Sequence, residues 1–430
     1  MNDHTTTAHA PRFKIPHRNQ MRMQTFSLDQ LLPADHQARF VWQYIESLDL
    51  SPLYARIRAV EGGVGRDPID PRILMALWMF ATIEGISSAR QLARACERDL
   101  AYLWICGEVT VNYHTLSDFR SGNDEFLNQL LTDSIATLMQ QDLVTLEVVA
   151  QDGMRVRASA GKSSFRRKPT LEQCREKAAE QVGLLQEERD QNPAGDASNA
   201  RQKAARARAA REKQERVEQA LENLEVLKAQ KEKRKKGSGN KARSSTTDPE
   251  ARNMKMANGG YNPAYNVQFA TDAETRMIVG VEVTNSGSDR GQMAPVQDEL
   301  KENYEKAPGK YVVDGGFANK NDITQVERNG SEVIAPIHSE EAMEKRGTDP
   351  HARQPRDSDE MATFRKRMAT EEAKEVYRLR PSVAEFPNAE ARNRGMQQFR
   401  VRGLRKVKSV VLWFVLTYNF MRQRNLGIIG

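Results

Sequence analysis

Between Phe26 and Asp142 the apolar positions recur at helical spacing, in short runs broken by turn residues. The run DPRILMALWMFATIEG, Asp70 to Gly85, opens on Asp-Pro and closes on glycine, which is helix punctuation at both ends. SSARQLARACERD follows, with Ser87 or Ser88 as its N-cap, and then NYHTLSDFRSGNDEFLNQLLTDSIATLMQQ. This pattern predicts an N-terminal all-α domain over residues 26–143, preceded by a flexible basic arm over 1–25. Such a domain serves either as a packing module or as a DNA-binding helix-turn-helix unit. At Leu146 the texture changes: LEVVAQD is β-rich and ends in Asp152-Gly153. The strand signal then stops until Tyr265. Leu171–Gln191 reads as a charged amphipathic helix, NPAGDASN (Asn192–Asn199) as a break, and Ala200 to about Lys235 as a second helix. Val217, Leu221, Leu224 and Leu227 form the apolar seam of that second helix. The prediction is an inserted helical hairpin over 165–245, serving as a solvated spacer or as a DNA contact through its basic stem.

Strands resume with YNVQFATD and MIVGVEVTN, joined by a turn at Ala273–Thr275. DRGQMAPVQDELKENYEK reads as a helix, KYVVDGG as a short buried strand, NKNDITQVERNG as a helix and SEVIAPI as a strand. A weakly patterned stretch from Ser339 to about Asp359 leads into a helical region over Met361–Arg424. With the insertion set aside, three antiparallel strands are followed by alternating helices and strands. That order matches the ribonuclease H-like topology: a mixed five-stranded sheet with flanking helices, here over residues 144–424.

Charge sharpens the picture. Sixty-five Lys and Arg face 58 Asp and Glu, a net charge of +7. Arg201–Arg243 holds 15 basic residues against 6 acidic, and Arg392–Arg424 holds 9 against none. The rest of the chain is therefore net acidic, and two local basic patches on that background point to a polyanionic partner. Three scattered cysteines form no CxxC pair, which argues against a zinc ribbon or a disulfide framework, and the seven histidines show no metal-ligand spacing. The longest apolar run, Ser409–Phe420, is too short to span a bilayer, and the N-terminus lacks a signal peptide's apolar core. The composition predicts a soluble cytoplasmic protein. AGKSS (Ala160–Ser164) has Val156 where a phosphate loop requires glycine, so no nucleotide cofactor is expected.

The chemistry candidates are carboxylates. Asp152 on the first strand and Asp314 at the end of the fourth lie 162 residues apart, yet neighbouring strands would bring them together. In isolation either Asp-Gly reads as a turn; a third acid on a late helix would complete a site for hard divalent cations. Gly153, Gly315 and Gly316 are expected to leave room for a DNA backbone, and Asp289 to cap the helix that follows it.

The stretch EVYRLRPSVAEFPNAEARNRGMQQFRVRGLRKVKSVVLWFVLTYNF supplies that acid. It resembles the C-terminal signature of bacterial insertion-sequence DDE transposases, in which a Tyr, an Arg, a catalytic Glu and a basic residue follow in fixed order. Here these are Tyr377, Arg380, Glu385 and Arg392. Arg402, Gly403, Lys406 and Tyr418-Asn419 match the trailing pattern, and YNVQFATD, VVDGGF and HTLSDFR (His114–Arg120) resemble upstream blocks of the family. The similarity runs over roughly residues 26–424. Ala384 precedes the Glu where Val is frequent, Phe386-Pro387-Asn388 follow it, and Arg392 stands where Lys is common. A subgroup with Ala-Glu-x-x-Asn-Ala fits, which favours Glu385 over Glu390. The resemblance implies a bacterial, nucleoid-associated enzyme. Asp152, Asp314 and Glu385 would hold two Mg²⁺ or Mn²⁺ ions, and Tyr377, Arg380, Arg392, Arg402 and Lys406 would contact DNA. It further implies cleavage at the element's terminal inverted repeats, strand transfer into target duplex DNA, and a homodimer on that DNA. The alternatives are a catalytically silent DNA-binding protein derived from a transposase, a simple endonuclease, or a coiled-coil scaffold.

Overall fold

A computed structural model of the chain describes residues 19, 25, 27–59, 67–191 and 197–429. The basic arm expected over 1–25 lies almost wholly outside the described residues, as do positions 192–196 of the expected hairpin break.

Helices fill the N-terminal part from Gln37 to Gln140. Helix α1 (Pro71–Ile83) starts as its sequence demands: the Asp70 carboxylate accepts from the Arg72 N–H at 2.8 Å and Pro71 occupies the first turn. Because α1 is apolar on every side beyond Arg72, it is buried on every side from Ile73 to Ala81. Ser88, rather than Ser87, caps the next helix. Helix α2 (Tyr113–Ser121) carries the HTLSDFR block. Its Leu116 carbonyl accepts from the Trp78 indole at 2.9 Å, and Arg120 lies over the Trp78 ring.

The sheet is built on β1 (Val148–Arg157). Antiparallel to it runs β3 (Tyr261–Asp272), with Asp152 opposite Phe269. On its other edge β5 (Lys310–Val312) lies parallel, followed outward by parallel β6 (Glu332–Ile334). Strand β4 (Ile278–Thr284) pairs with the far edge of β3. So does β2 (Arg252–Lys255), since Ala264 faces Arg157 on one side and Arg252 on the other. The sheet thus has six strands, not five. The additional one, Arg-Asn-Met-Lys, is a short polar edge strand with Met254 as its one buried residue, so period-2 patterning could not reveal it.

Helix α3 (Lys168–Gln191) and helix α4 (Ala197–Arg234) form the inserted hairpin, joined by a small separate core of Leu171, Ala220, Leu224 and Ala242. Helix α5 (Met293–Tyr304) covers one face of the sheet, and helix α6 (Lys320–Arg328) packs beside it, its buried Asp322 accepting three N–H bonds from the start of α5. Helices α7 (Asp359–Met368), α8 (Glu371–Arg378), α9 (Phe386–Asn393) and α10 (Leu404–Asn425) close the chain.

Helix α10 joins the halves. Phe414 packs on Phe269 of the sheet, while Ser409 and the Trp413 indole both donate to the Arg120 carbonyl, at 2.6 and 3.0 Å. One continuous hydrophobic core therefore runs from the N-terminal helices through α10 into the sheet. No helix among the described residues is long and apolar enough to cross a membrane.

The Tyr-Asn pair near the end of α10 has a structural use. The buried Asn419 amide accepts from the Ile278 N–H at 2.9 Å and donates to its carbonyl at 2.8 Å, while Tyr418 donates to the Arg276 carbonyl. Asn419→Ala would leave a backbone N–H and C=O buried without partners. It is expected to destabilise the protein by about 2–4 kcal/mol in chemical denaturation. An unchanged midpoint would refute this clamp.

Candidate active site

Asp152 is not at a turn. Strand β1 continues five residues past it, to Arg157, which places the carboxylate mid-strand on the central strand of the sheet. Side chains alternate across a strand, so Asp152, Met154 and Val156 face α9 and α10, while Gln151, Gly153 and Arg155 face α5. The Asn388 amide of α9 donates to Asp152 Oδ2 at 2.9 Å, and the Gly153 N–H donates to Oδ1 at 2.9 Å.

Asp314 follows β5 by two residues. Its side chain accepts from the Gly316 N–H at 2.7 Å, and its carbonyl accepts from the Phe317 N–H, a tight turn that fixes the acid beside the end of the strand. Parallel pairing of β5 with β1 over Val148–Ala150 brings this turn next to Asp152. Glu385 arrives on a π-helical turn, Pro381–Glu385, inserted between α8 and α9.

One guanidinium connects the three acids. Arg380 Nη2 lies 3.6 Å from Asp152 Oδ1 and 3.5 Å from Asp314 Oδ2, and Nη1 lies 3.2 Å from Glu385 Oε1. The Arg380 side chain is 10% exposed, against 16% for Asp152, 40% for Asp314 and 57% for Glu385. Asp152 is thus the buried anchor of the cluster and Glu385 its mouth. Burial pushes the Asp152 carboxyl up to about 6; Arg380 and the Gly153 N–H oppose the rise, and Asp314 and Asp289 add to it. Tyr377 is held above the ordinary phenol value by burial, with Arg380 opposing and Asp314 and Glu385 adding. The phenol therefore belongs to the same electrostatic neighbourhood. Arg392 stands apart from the acids, exposed on the wall of a groove of about 950 Å³ that also borders Gly153, Arg155, Arg157 and Lys255. Arg402 and Lys406 are exposed further along the chain; Arg402 donates to the Ser159 carbonyl at 3.3 Å, and neither residue meets the acids.

Two local readings need correction. Asp289 does not cap α5: its carboxylate accepts from Asn266, Gln268 and Arg155 at 2.7, 3.0 and 2.6 Å. Gly153 is a glycine because of the protein's own packing. A Cβ there would lie 2.5 Å from both Asp289 Oδ1 and Gln268 Nε2, so glycine is required by this second carboxylate. Sequence reasoning also passed over Asn388 and Gln151. Asn388 was visible as part of Ala-Glu-x-x-Asn-Ala. Gln151, fully buried, bridges Tyr311, Gln268 and the Gln292 carbonyl, and no spacing signal marks it.

Among the described residues no three His, Cys, Asp or Glu side chains are already gathered as metal ligands. The donor set nevertheless suits a hard divalent cation. Three carboxylates from distant parts of the chain already share one cation, Arg380, and the buried Asn388 carbonyl oxygen beside them lacks a hydrogen-bond partner.

Two stretches of the chain match known family models. Residues 26–122 match a transposase domain family (DUF772), and residues 235–420 match the transposase DDE domain. The chain belongs to the insertion-sequence DDE transposases. The second match includes Asp314, Tyr377, Arg380, Glu385 and Arg392; Asp152 and most of the hairpin lie between the two matched regions. No curated protein and no solved structure matches the chain.

The raised Asp152 carboxyl makes a pH-dependent prediction. Its folded value of about 6 exceeds the ordinary 3.8, so the favourable contribution is full below about pH 4 and is lost as pH rises through about 6. In metal-free buffer above about pH 7, Asp152→Asn should therefore be more stable than wild type, by on the order of 1–2 kcal/mol, and the gain should vanish near pH 4. Thermal melts of both proteins across that range provide the check. Parallel pH profiles would contradict a buried, frustrated charge.

Proposed function

We propose that this transposase cuts DNA at the ends of its insertion sequence and joins the freed 3′-OH to target DNA, using Asp152, Asp314 and Glu385 as the metal-holding acids. The observation that carries this reading is the meeting of those three carboxylates around Arg380. The strand order β4-β3-β1-β5-β6, with β1 antiparallel to β3 and parallel to β5, supports assignment to the ribonuclease H-like fold.

Two divalent ions, Mg²⁺ or Mn²⁺, held by these acids would stabilise the attacking and leaving oxygens of an in-line displacement at phosphorus. The chain's own residues prepare that event. Asp152, ionised above about pH 6, supplies the deepest oxygen ligand, and Asn388 fixes its orientation. Glu385, the most exposed of the three, completes the set at the mouth, where substrate enters. Arg380 neutralises the acids in the absence of substrate and offers a planar fork to the terminal phosphate. Tyr377, on the helix leading into Arg380, and Arg392, on the groove wall, grip the strand on either side. In this reading residues 26–143 bind the terminal repeats, Arg402 and Lys406 extend the phosphate contacts, and two copies act together on paired ends.

The test uses a labelled duplex carrying the DNA that flanks the element, with Mg²⁺ or Mn²⁺. Wild type is expected to cut at the end and to join the product to a second duplex. Asp152→Asn, Asp314→Asn and Glu385→Gln should each bind it with similar affinity and cut at least about a thousandfold more slowly. Wild type that binds and never cuts with either metal, or a Glu385→Gln protein of normal rate, would defeat the proposal.

A further inference from the structure

The base of the inserted hairpin borders a concentration of positive charge. Two adjoining hollows meet at Gly287. The inner one is the groove beside Gly153 and Arg392. The outer one, about 970 Å³, lies between the end of α4 and the edge strand β2, and Lys231, Arg234, Lys241, Arg243 and Arg252 stand on its walls. No aspartate or glutamate lines either hollow. Apart from Arg155, which is paired with Asp289, none of the cations lining them forms an ion pair among the described residues.

Elsewhere on the hairpin acidic partners are interleaved with the basic residues: Lys168 pairs with Glu225 at 2.8 Å, Lys203 with Glu188 at 3.4 Å and Arg216 with Glu212 at 3.6 Å. A mere spacer has no reason to concentrate unpaired like charge at its stem, where repulsion opposes folding. The stem is nonetheless held firmly. Glu232 accepts the N–H groups of Gly237 and Gly239 at 2.6 and 2.9 Å, fixing the chain after α4. A short ladder of Phe165–Arg166 with Ser244–Ser245 anchors both ends of the insertion.

We infer that the two hollows form one trough for the phosphate backbone of duplex DNA leading into the acid site, with the hairpin stem as its outer wall. The inference rests on the DNA-cutting reading above and extends it to a part of the chain outside both matched transposase regions except for its last residues. Duplex suits the lining better than unstacked single strand. Only one aromatic residue, Phe165, borders the trough, whereas single-strand grooves rely on aromatic stacking.

The experiment compares two triple variants of the full chain, with fluorescence anisotropy on a random-sequence DNA duplex over a salt series. One, Lys231→Gln, Arg234→Gln and Arg243→Gln, removes exposed cations from the trough. The other, Arg206→Gln, Arg208→Gln and Arg211→Gln, removes equal charge roughly 30 Å or more outward along α4. The trough variant is expected to bind about tenfold or more weakly, and its slope of log affinity against log salt should fall by about 2–3; the outer variant should keep the wild-type slope. Equal losses in both variants, or no loss in the trough variant, would overturn the inference. Cutting is scored separately. Wild type that binds through the trough yet never cuts overturns the metal-site reading alone. Wild type that cuts, with an unimpaired trough variant, overturns the trough alone.

Discussion

Three carboxylates cannot share a half-buried pocket without a cation. In the low effective dielectric around β1 their mutual repulsion is strong, and burial already drives the Asp152 carboxyl up to about 6. Arg380 is what permits the arrangement in the free chain. Its own burial, at 9% exposure, is tolerated because three anions surround it, although its Nε finds no partner. The cluster is therefore held by mutual compensation of groups that would each be unfavourable alone. Such a balance responds to the arrival of another cation or of a phosphate in a way that a set of satisfied surface ion pairs would not.

The strand keeps a fourth acid out of this balance. Asp289 lies one residue along β1, against Gly153, yet on the opposite face of the sheet, where Arg155, Asn266 and Gln268 satisfy it. From Gln268 the polar chain passes through Gln151 to the Tyr311 hydroxyl in the buried core. Neutral amides and one arginine thus carry that carboxylate, while the three acids on the other face share Arg380. Gly153 is the hinge between the two arrangements, because any side chain there would expel Asp289.

Much of this was legible from sequence, and the failures have physical causes. Helix punctuation located α1, and strand patterning with Asp-Gly endings located the segments holding Asp152 and Asp314. The extent of β1 was not legible: after Asp152 the residues GMRVR alternate as a strand should, but glycine and two arginines read as turn chemistry. Strand β2 was hidden because an edge strand buries a single side chain. The Asp289 site was invisible because its partners come from β1 and β3, and only pairing register brings Arg155 opposite Asn266 and Gly153 opposite Gln268. The basic composition of the hairpin was plain, but the acid-free hollow at its base depends on which side chains the end of α4 and strand β2 bring together.

The spacing of Arg380 and Glu385 shows how backbone form and charge placement are linked. In an ordinary α-helix of 3.6 residues per turn, a residue five positions on lies roughly 140° around the axis, so the two side chains would diverge. The π-helical turn over Pro381–Glu385 replaces i→i+4 bonding with i→i+5 bonding and brings Glu385 back over Arg380, within 3.2 Å. Pro381, lacking an N–H, favours such an irregularity, and Pro387 lets α9 restart immediately in the first turn of a new helix. Asn388 then falls three residues after Glu385, where it reaches Asp152. A regular helix through this stretch would keep the acid and the amide, three residues apart, on one face but would turn Arg380 away from the acid. The wide turn is therefore part of what assembles the site.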